Sequence, residues 1–256
     1  MLLEGRAIAI TGAAQGIGKA TALACVREGA SVAICDINGK LARTVAATIT
    51  AAGGRALAFE MDASQRADVA RMVAESVSAF GKLDGMVCGA MRRYYEPAED
   101  FSDEHWDAVV AQGLTGYFRC AQEAGRQMLQ YGSGAIVFIT STAGRSAVDG
   151  GAAYCSVKAG VAGLTRQLGA EWAGRGVRTN AVAPGFTVTE GAIRKMSAEE
   201  AQRLIPVGKP ATVEEVGNVC VFLLSGLASH ITGQEIAVDG GYTVGSNISA
   251  GRIRKE

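Results

Sequence analysis

Short apolar runs alternate along the chain with longer segments in which apolar residues recur at helical spacing. The short runs predict seven strands, at residues 7–10, 31–35, 56–60, 83–87, 134–139, 177–182 and 234–238. The longer segments predict helices at residues 16–28, 38–52, 65–80, 101–131, 151–173 and 212–224. Apolar strands that alternate with helices are typical of a parallel sheet covered on both faces. The pattern therefore predicts a three-layer α/β fold.

Turn and capping residues delimit these elements. Gly29, Gly53 and Gly81 stand where predicted helices end, as glycine commonly does. Thr212 and Glu215 have the spacing of a capping box at the start of the last predicted helix. No internal repeat or low-complexity linker interrupts the alternation, so we expect a single domain over residues 1–256.

Composition narrows the classes of function. The chain has 25 Lys+Arg against 25 Asp+Glu, so its net charge is zero and nothing favours nucleic acid as a partner. No apolar stretch reaches the roughly 18 residues of a membrane span, and the N-terminus lacks the apolar core of a signal peptide. The two histidines stand far apart, so no metal site is expected. Six scattered cysteines without a Cys-x-x-Cys pair indicate reduced thiols in a cytoplasmic protein.

A glycine-rich segment, TGAAQGIG at residues 11–18, joins the first predicted strand to the first helix. Glycine lets the backbone approach a pyrophosphate closely, and a helix N-terminus offers unpaired N–H donors and the positive end of a dipole. The strand–turn–helix context favours a dinucleotide site over a merely tight connection. The residues predicted to hold the dinucleotide here are Gly12, Gln15, Gly16, Ile17 and Gly18.

Asp36 ends the second predicted strand, 18 positions after Gly18. A carboxylate near this offset can accept hydrogen bonds from the adenosine ribose and repel a 2′-phosphate. Its neighbours Ile37 and Asn38 supply no cation to hold that phosphate, so we expect NAD rather than NADP. The alternative is that Asp36 caps the following helix. Asp62, after the third strand, is either an adenine contact or a turn residue.

Tyr154 and Lys158 stand four residues apart in a predicted helix, and Ser141 lies thirteen positions before the tyrosine. Because a helix turns once per about 3.6 residues, the phenol and the ammonium share one face. A phenol with an ordinary pKa of about 10 is a poor acid or base at neutral pH, and a neighbouring cation lowers that pKa. The pattern indicates general acid–base catalysis, although alone it also fits an amphipathic helix with a surface lysine.

Together these segments resemble the short-chain dehydrogenase/reductase family over essentially the whole chain. The resemblance rests on the glycine-rich segment, Ser141, the Tyr154/Lys158 pair, NAVAPG at 180–185 with Thr189, ITGQ at 231–234 and VDGG at 238–241. It implies a Rossmann fold with a seven-stranded parallel sheet, usually assembled as a homotetramer or homodimer. It also implies hydride transfer between C4 of a nicotinamide and a carbon that bears oxygen.

The resemblance assigns roles to individual residues. Tyr154 would exchange the hydroxyl proton, Lys158 would lower the tyrosine pKa and bind the nicotinamide ribose, and Ser141 would hydrogen-bond the substrate oxygen. The implied cofactor contacts further include Ala90, Pro184, Gly185, Thr187 and Thr189. The expected activity is that of an NAD-dependent oxidoreductase that interconverts a secondary alcohol and a ketone.

Two segments depart from the family pattern. Where the family has Asn-Asn-Ala-Gly after the fourth strand, this chain has CGAM at residues 88–91, so Met91 replaces a small residue. Gly113 stands where the family places an asparagine whose main-chain carbonyl helps to hold a water between the lysine and solvent. Glycine keeps the carbonyl and permits a helix kink. We expect the relay to persist with a water in the space of the missing side chain; the alternative is weak or lost turnover.

The expected substrate is a small molecule such as a sugar acid, a polyol or a cyclic alcohol. Arg92 and Arg93 follow the altered turn and suit a carboxylate or phosphate; a solvated loop or a subunit contact is the alternative. Arg145 and Phe186 are further candidate contacts, and residues 186–206 form the expected substrate loop. Two other functions stay open: a nucleotide-binding sensor or scaffold with little turnover, and an NADP-dependent carbonyl reductase.

Overall fold

A computed structural model describes residues 1–190 and 196–245, and its strands form one sheet. All seven strands are parallel, in the order β3-β2-β1-β4-β5-β6-β7. They are β1 (Ala7–Thr11), β2 (Ser31–Asp36), β3 (Ala56–Glu60), β4 (Gly85–Cys88), β5 (Gly134–Ile139), β6 (Val177–Pro184) and β7 (Glu235–Val238). The predicted α/β fold with a seven-stranded parallel sheet is confirmed.

Helices cover both faces of this sheet. They are α1 (Gly16–Arg27), α2 (Gly39–Ala51), α3 (Arg66–Phe80), α4 (Asp103–Val110), α5 (Gly116–Tyr131), α6 (Ala152–Ala173), α7 (Ala198–Leu204) and α8 (Val213–Leu224). Side chains of α3, α5 and α6 form one buried cluster with Ala9 and its neighbours, whereas α1, α2 and α8 form another with Ile8 and Ile10. Because successive strand residues point to opposite faces, these two cores lie on either side of the sheet and make the three predicted layers.

The predicted helix over residues 101–131 is broken in the structure. α4 ends at Val110, a π-helical turn occupies Ala111–Thr115, and α5 begins at Gly116. A π turn is rare and occurs frequently at functional sites. Gly113 lies at its centre, where the sequence expects a kink.

The expected substrate loop over residues 186–206 contains α7, which the periodicity of the sequence does not predict. A capping box opens this helix, because the side chains of Ser197 and Glu200 each accept a hydrogen bond from the other residue's backbone N–H. Thr187, near the start of the loop, pairs with Ala211 through an isolated parallel bridge. Residues 191–195 lie outside the described residues.

The strand order reverses at β1, which lies between β2 and β4. At such a point the connections after β1 and β4 leave toward opposite faces and open a crevice at the carboxyl edge of the sheet. The two loops nevertheless stay bonded at their bases, because Thr11 Oγ1 accepts hydrogen bonds from the N–H groups of Gly89 at 3.1 Å and Ala90 at 3.4 Å. A Cβ at Gly12 would lie 2.9 Å from the nitrogen of Ala90, so glycine is required where the loops meet.

Asn180, the first residue of the NAVAPG segment, joins two strands. Its Nδ2 donates to the carbonyl of Ile231 at 2.8 Å, and its Oδ1 accepts from the N–H of Gln234 at 3.1 Å. These bonds fix the approach to β7 beside β6. Asn180 and the ITGQ segment therefore shape the edge of the sheet.

The six cysteines are all free; Cys155 is half-buried and the other five are buried. Within residues 1–190 and 196–245, no helix is both long enough and apolar enough to cross a membrane. The same residues contain no group of three or more His, Cys, Asp or Glu side chains arranged to hold a metal ion.

Candidate active site

Ser141, Tyr154 and Lys158 line one cavity of about 1000 Å³ at the carboxyl edge of the sheet. Ser141 follows β5, and its Oγ accepts a hydrogen bond from the N–H of Ala143 at 3.1 Å. Tyr154 and Lys158 lie one turn apart in α6. The hydroxyl of Ser141 also acts on the phenol of Tyr154 and lowers its pKa. The structure thus brings together the three residues that the sequence singles out for proton chemistry.

Lys158 is only 3% exposed, and its contacts lie beneath the cavity floor. Nζ donates to the carbonyl of Ile139 at 2.6 Å and approaches the phenol oxygen of Tyr117 at 3.4 Å. It also lies 5.7 Å from the ring centroid of Tyr154. Burial lowers the pKa of Lys158 to about 7, and the positive charge of Arg93 adds to that effect. A lysine in this environment can change charge near neutral pH.

The pKa of Tyr154 differs from the sequence expectation. Burial raises it above the ordinary value for a phenol, while the hydrogen bond with Ser141 and the charge of Arg93 oppose that rise. Lys158 was expected to lower this pKa, but its Nζ is directed to the carbonyl of Ile139 and its own charged form is disfavoured by burial. The chain alone therefore holds Tyr154 as a neutral phenol at neutral pH.

Tyr117 is a residue of this site that the sequence analysis missed. Its ring is buried on the inner face of α5, and its hydroxyl donates to the carbonyl of Ile139 at 3.3 Å. One signal was present in the sequence: Tyr117 stands four positions after Gly113, so it lies about one helical turn further along the same face.

The glycine-rich segment forms one wall of the cavity. Gly12, Gln15, Gly16, Ile17 and Gly18 all line it. The first turn of a helix has N–H groups without intrahelical acceptors, and the side chain of Gln15 at the N-cap of α1 makes no capping bond. A Cβ at Gly16 would meet nothing closer than Thr189, at 3.9 Å. An open helix N-terminus that faces a cavity fits the pyrophosphate of a dinucleotide.

Asp36 lies at the end of β2 and also lines the cavity. Its Oδ2 accepts a hydrogen bond from the N–H of Ala14 at 3.1 Å, and its Oδ1 accepts from the N–H of Asn38 at 2.9 Å. The N-cap of α2 is Asn38, whose side chain accepts from the N–H of Leu41. The alternative in which Asp36 caps this helix is therefore wrong, and its carboxylate instead braces the glycine-rich turn.

Asp62 does not line the cavity, although its neighbours Met61 and Ala63 do. Its Oδ1 accepts from the N–H of Ser64 at 2.8 Å, and its Oδ2 lies 3.6 Å from the guanidinium of Arg92. These bonds show the turn role of Asp62, and the adenine contact stays a prediction.

The remaining predicted cofactor contacts line another wall of the cavity and the turn after β4, and Thr189 on that wall faces Gly16 of the glycine-rich segment. Thr187 Oγ1 donates to the carbonyl of Gly185 at 3.1 Å. Phe186 is 39% exposed and packs edge-on against Tyr242, with ring centroids 5.1 Å apart. The predicted residues that line this wall or the facing turn are Ala90, Pro184, Gly185, Phe186, Thr187 and Thr189.

The three arginines proposed for the substrate have different surroundings. Arg92 lines the cavity but pairs with Asp62. Arg145 lies outside this cavity, and its Nε bonds Glu235 at 2.7 Å. Arg93 lines the cavity, its charge acts on both Tyr154 and Lys158, and within the described ranges it has no ion pair with an acidic side chain. Among the three, Arg93 alone both lines the cavity and lacks an acidic partner within the described residues.

Met91 and Gly113, the two departures from the family pattern, are in contact. A Cβ at Gly113 would lie 2.5 Å from Sδ of Met91 and 2.7 Å from Cγ1 of Val157. The expectation that a water fills the space of the missing side chain is therefore wrong, because Met91 fills it. The two unusual residues form one packing unit.

We expect Gly113→Asn to lower the free energy of unfolding by about 1–3 kcal/mol, because the added side chain overpacks this contact. Met91→Gly in the same chain should restore part of the loss by freeing the space. Urea unfolding of the wild type, both single variants and the double variant would measure the coupling, expected at about 0.5–3 kcal/mol in favour of the double variant. Strictly additive losses would show that the two positions do not share this space.

Comparisons with known proteins agree with this geometry. A family model described as Enoyl-(Acyl carrier protein) reductase matches residues 12–243. D-threitol dehydrogenase of Mycolicibacterium smegmatis is 38% identical over 246 residues, 94% of each chain. The NAD-dependent glycerol dehydrogenase of Listeria innocua is 37% identical over 238 residues, 92% of each chain. A solved short-chain type dehydrogenase/reductase from Mycobacterium marinum has a TM-score of 0.89 at 33% identity, covering 94% of this chain and 97% of that one.

These relatives match almost the full length of the chain, and the range of the family model spans the glycine-rich turn from Gly12 onward, Ser141 and the helix that carries Tyr154 and Lys158. The fold is the one that the resemblance in the sequence implies, and Ser141, Tyr154 and Lys158 line one cavity. The chain therefore belongs to the short-chain dehydrogenase/reductase family, whose members are oxidoreductases with a Rossmann fold.

Proposed function

We propose that this protein is an NAD-dependent oxidoreductase that interconverts a secondary alcohol and a ketone. The observation that carries the proposal is the convergence of Ser141, Tyr154 and Lys158 in the cavity whose other wall is an open helix N-terminus. A bound nicotinamide dinucleotide would supply the hydride acceptor or donor. The protein would supply binding, orientation and proton transfer.

In alcohol oxidation, Tyr154 as phenolate would take the hydroxyl proton of the substrate, and the bound dinucleotide would accept the hydride from the carbinol carbon. Ser141 donates a hydrogen bond to the same oxygen and stabilises the negative charge that develops there. In the reverse direction Tyr154 returns the proton to that oxygen. Because burial raises the pKa of Tyr154, its phenolate needs nearby positive charge, which Arg93 provides and to which Lys158 adds when it is protonated.

Asp36 supports the choice of NAD. Its carboxylate stands at the end of β2 beside the glycine-rich turn and carries a negative charge toward the cavity. A 2′-phosphate near this position would meet like charge, whereas ribose hydroxyls would meet an acceptor. The half-buried or buried state of all six free thiols supports a reducing compartment, and we place the protein in the cytoplasm.

The experiment that tests this function is a titration of the purified protein with NAD and NADP, followed by a screen for NADH formation. Hydroxy acids, polyols and cyclic alcohols form the screen. NAD-dependent NADH formation on at least one class is the expected result. Tight NAD binding without turnover on any substrate would support the sensor or scaffold instead, and preference for NADP would support the carbonyl reductase.

Arg93 favours an anionic substrate, such as a sugar acid, within this function. A guanidinium binds a carboxylate through two parallel hydrogen bonds, and Arg93 lines the cavity beside Tyr154 without an acidic partner among the described residues. The charge of Arg93 also acts on Tyr95, whose ring centroid lies 6.0 Å from that of Tyr154.

We expect Arg93→Gln to raise KM for a hydroxy-acid substrate by about 10- to 100-fold, the effect of losing a hydrogen-bonded charge pair. The KM for a neutral polyol should change little. Arg145→Gln is the matched control, because Arg145 pairs with Glu235 outside the cavity. If KM rose equally for the hydroxy acid and the polyol in the Arg93 variant, that result would contradict an anion-binding role for Arg93. It would leave the proposed oxidoreductase function intact.

We also propose that the protein assembles as a homotetramer or homodimer through the surface around α4 and α5. Trp106 in α4 is 40% exposed and Phe118 in α5 is 37% exposed, so both helices present a large apolar side chain that a subunit contact would bury. Sedimentation equilibrium of the purified protein measures the assembly directly; a monomer at micromolar concentration would exclude it.

A further inference from the structure

Lys158 is held by a second tyrosine besides Tyr154. Tyr117 is 1% exposed, and its hydroxyl lies 3.4 Å from Nζ of Lys158. The same hydroxyl donates to the carbonyl of Ile139 at 3.3 Å, and Nζ donates to that carbonyl at 2.6 Å. The ring adds a cation–π contact, because Nζ lies 5.2 Å from its centroid. Three groups thus form a closed triangle of contacts beneath the cavity.

The phenol of Tyr117 has an unusual place in an apolar core. A buried hydroxyl costs free energy unless it is hydrogen-bonded, and here its proton goes to Ile139 while its oxygen remains free to accept from Lys158. Burial raises the pKa of Tyr117 well above the ordinary value, and the nearby thiols of Cys88 and Cys120 act in the same direction. Tyr117 therefore stays a neutral partner at every pH at which the enzyme would work.

The proton that Tyr117 carries has nowhere further to go. A carbonyl oxygen accepts hydrogen bonds but has no proton to pass on, so the chain from Lys158 through Tyr117 ends at Ile139. On its other side Lys158 lines the cavity. Of the two directions open to Nζ, only the cavity side offers a route along which a proton can reach solvent.

We propose that Tyr117 is a positioning residue for Lys158. The hydroxyl of Tyr117 fixes Nζ beneath Tyr154, so Lys158 exchanges protons with solvent on the cavity side only. The proposal deepens the proposed function, since it concerns the same lysine. It assigns to a side chain of α5 the holding role that the family resemblance gives to a water near position 113. The Met91–Gly113 contact agrees with it, because that space is filled by protein.

A first test uses the protein without cofactor. The pKa of Lys158 is about 7 in the fold against an ordinary 10.5, so between these values the unfolded chain binds more protons and stability rises with pH. Tyr117→Phe removes an acceptor from the ammonium and should lower this pKa further, by about half a unit to one unit. The rise in stability, measured by urea unfolding at a series of pH values, should then begin at correspondingly lower pH.

Several charged or titratable groups face Lys158, and their influence on its pKa must be distinguished from that of the Tyr117 hydroxyl. They are Tyr154 on its own helix, Tyr117 on α5 and Arg93 on the loop after β4. Lys158→Met removes the titrating group, so in that background Tyr117→Phe should leave the pH dependence of unfolding unchanged. Thr165→Val is the matched control, because it deletes one buried hydroxyl of α6 that bonds the carbonyl of Val161 away from the cavity.

A second test uses turnover. In ketone reduction we expect the ammonium form of Lys158 to be the active one, so kcat/KM should fall as pH rises through the pKa of Lys158. Tyr117→Phe should move this falling limb of the pH profile to lower pH. Thr165→Val should leave the limb in place. The proposal would be overturned if Tyr117→Phe moved the pH dependence of unfolding or of kcat/KM no further than Thr165→Val does. It would also be overturned if Tyr117→Phe still moved the pH dependence of unfolding in the Lys158→Met background. The unfolding test needs no substrate, so it still decides if the proposed function itself fails.

Discussion

Replacing Tyr154 with phenylalanine should lower kcat by about 10²- to 10⁴-fold, the range that a positioned general acid or base contributes. The substitution removes only the hydroxyl, which is the group that would exchange a proton with the substrate and on which Ser141 acts. The ring and its place above Lys158 remain. NAD affinity, measured by calorimetry, should therefore stay within a few-fold of the wild-type value.

Tyr94→Phe provides the matched control for this loss. Tyr94 lies on the loop after β4 and stacks on His105 with ring centroids 3.8 Å apart, but it does not line the cavity. Phenylalanine keeps the stacking, so this variant should retain nearly full activity. Residual turnover above one-tenth of wild type in the Tyr154 variant would rule out Tyr154 as the proton-transfer group.

Asp36→Asn should shift the ratio of kcat/KM for NAD to that for NADP by about 10²- to 10³-fold toward NADP, from one lost charged hydrogen bond and the relief of like-charge repulsion. Asparagine is chosen because its amide oxygen can still accept from the N–H of Ala14. The brace on the glycine-rich turn is thereby kept while the negative charge is removed. Steady-state kinetics with both cofactors on one substrate give the ratio.

Asp84→Asn is the corresponding control. Asp84 also accepts a hydrogen bond from a backbone N–H, that of Ala7 at 2.8 Å, but it precedes β4 and so stands at the opposite edge of the sheet. The cofactor ratio should be unchanged there. An unchanged ratio in the Asp36 variant as well would mean that some other group decides the preference, and the proposal of NAD would lose its main support.

Much of the architecture could be predicted from the sequence because the signals are local. Each strand is a short apolar run, and each helix shows apolar residues at helical spacing, so strand and helix types follow from patterns within a few residues. The catalytic trio and the glycine-rich turn could be placed for a related reason. Parallel strands bring the segments that follow them to one edge of the sheet, so Ser141 and the turn at 11–18 meet there.

What the sequence could not give depends on contacts between distant segments. Met91 and Gly113 each look unusual alone, and only the structure shows that one fills the space left by the other. Arg145 resembles a substrate contact until Glu235, ninety positions away, is seen to bind it. The pKa of Tyr154 also depends on burial, which a spacing of four residues does not reveal.

The contact between Met91 and Gly113 also constrains the ancestry of this chain. If its forebears carried asparagine at 113 and a small residue at 91, as the family pattern implies, a methionine arriving first would have collided with a side chain already in place. Loss of the asparagine is thus the easier first step, with Met91 filling the gap later. Once it had done so, a return to asparagine would be costly, so the second change made the first hard to reverse.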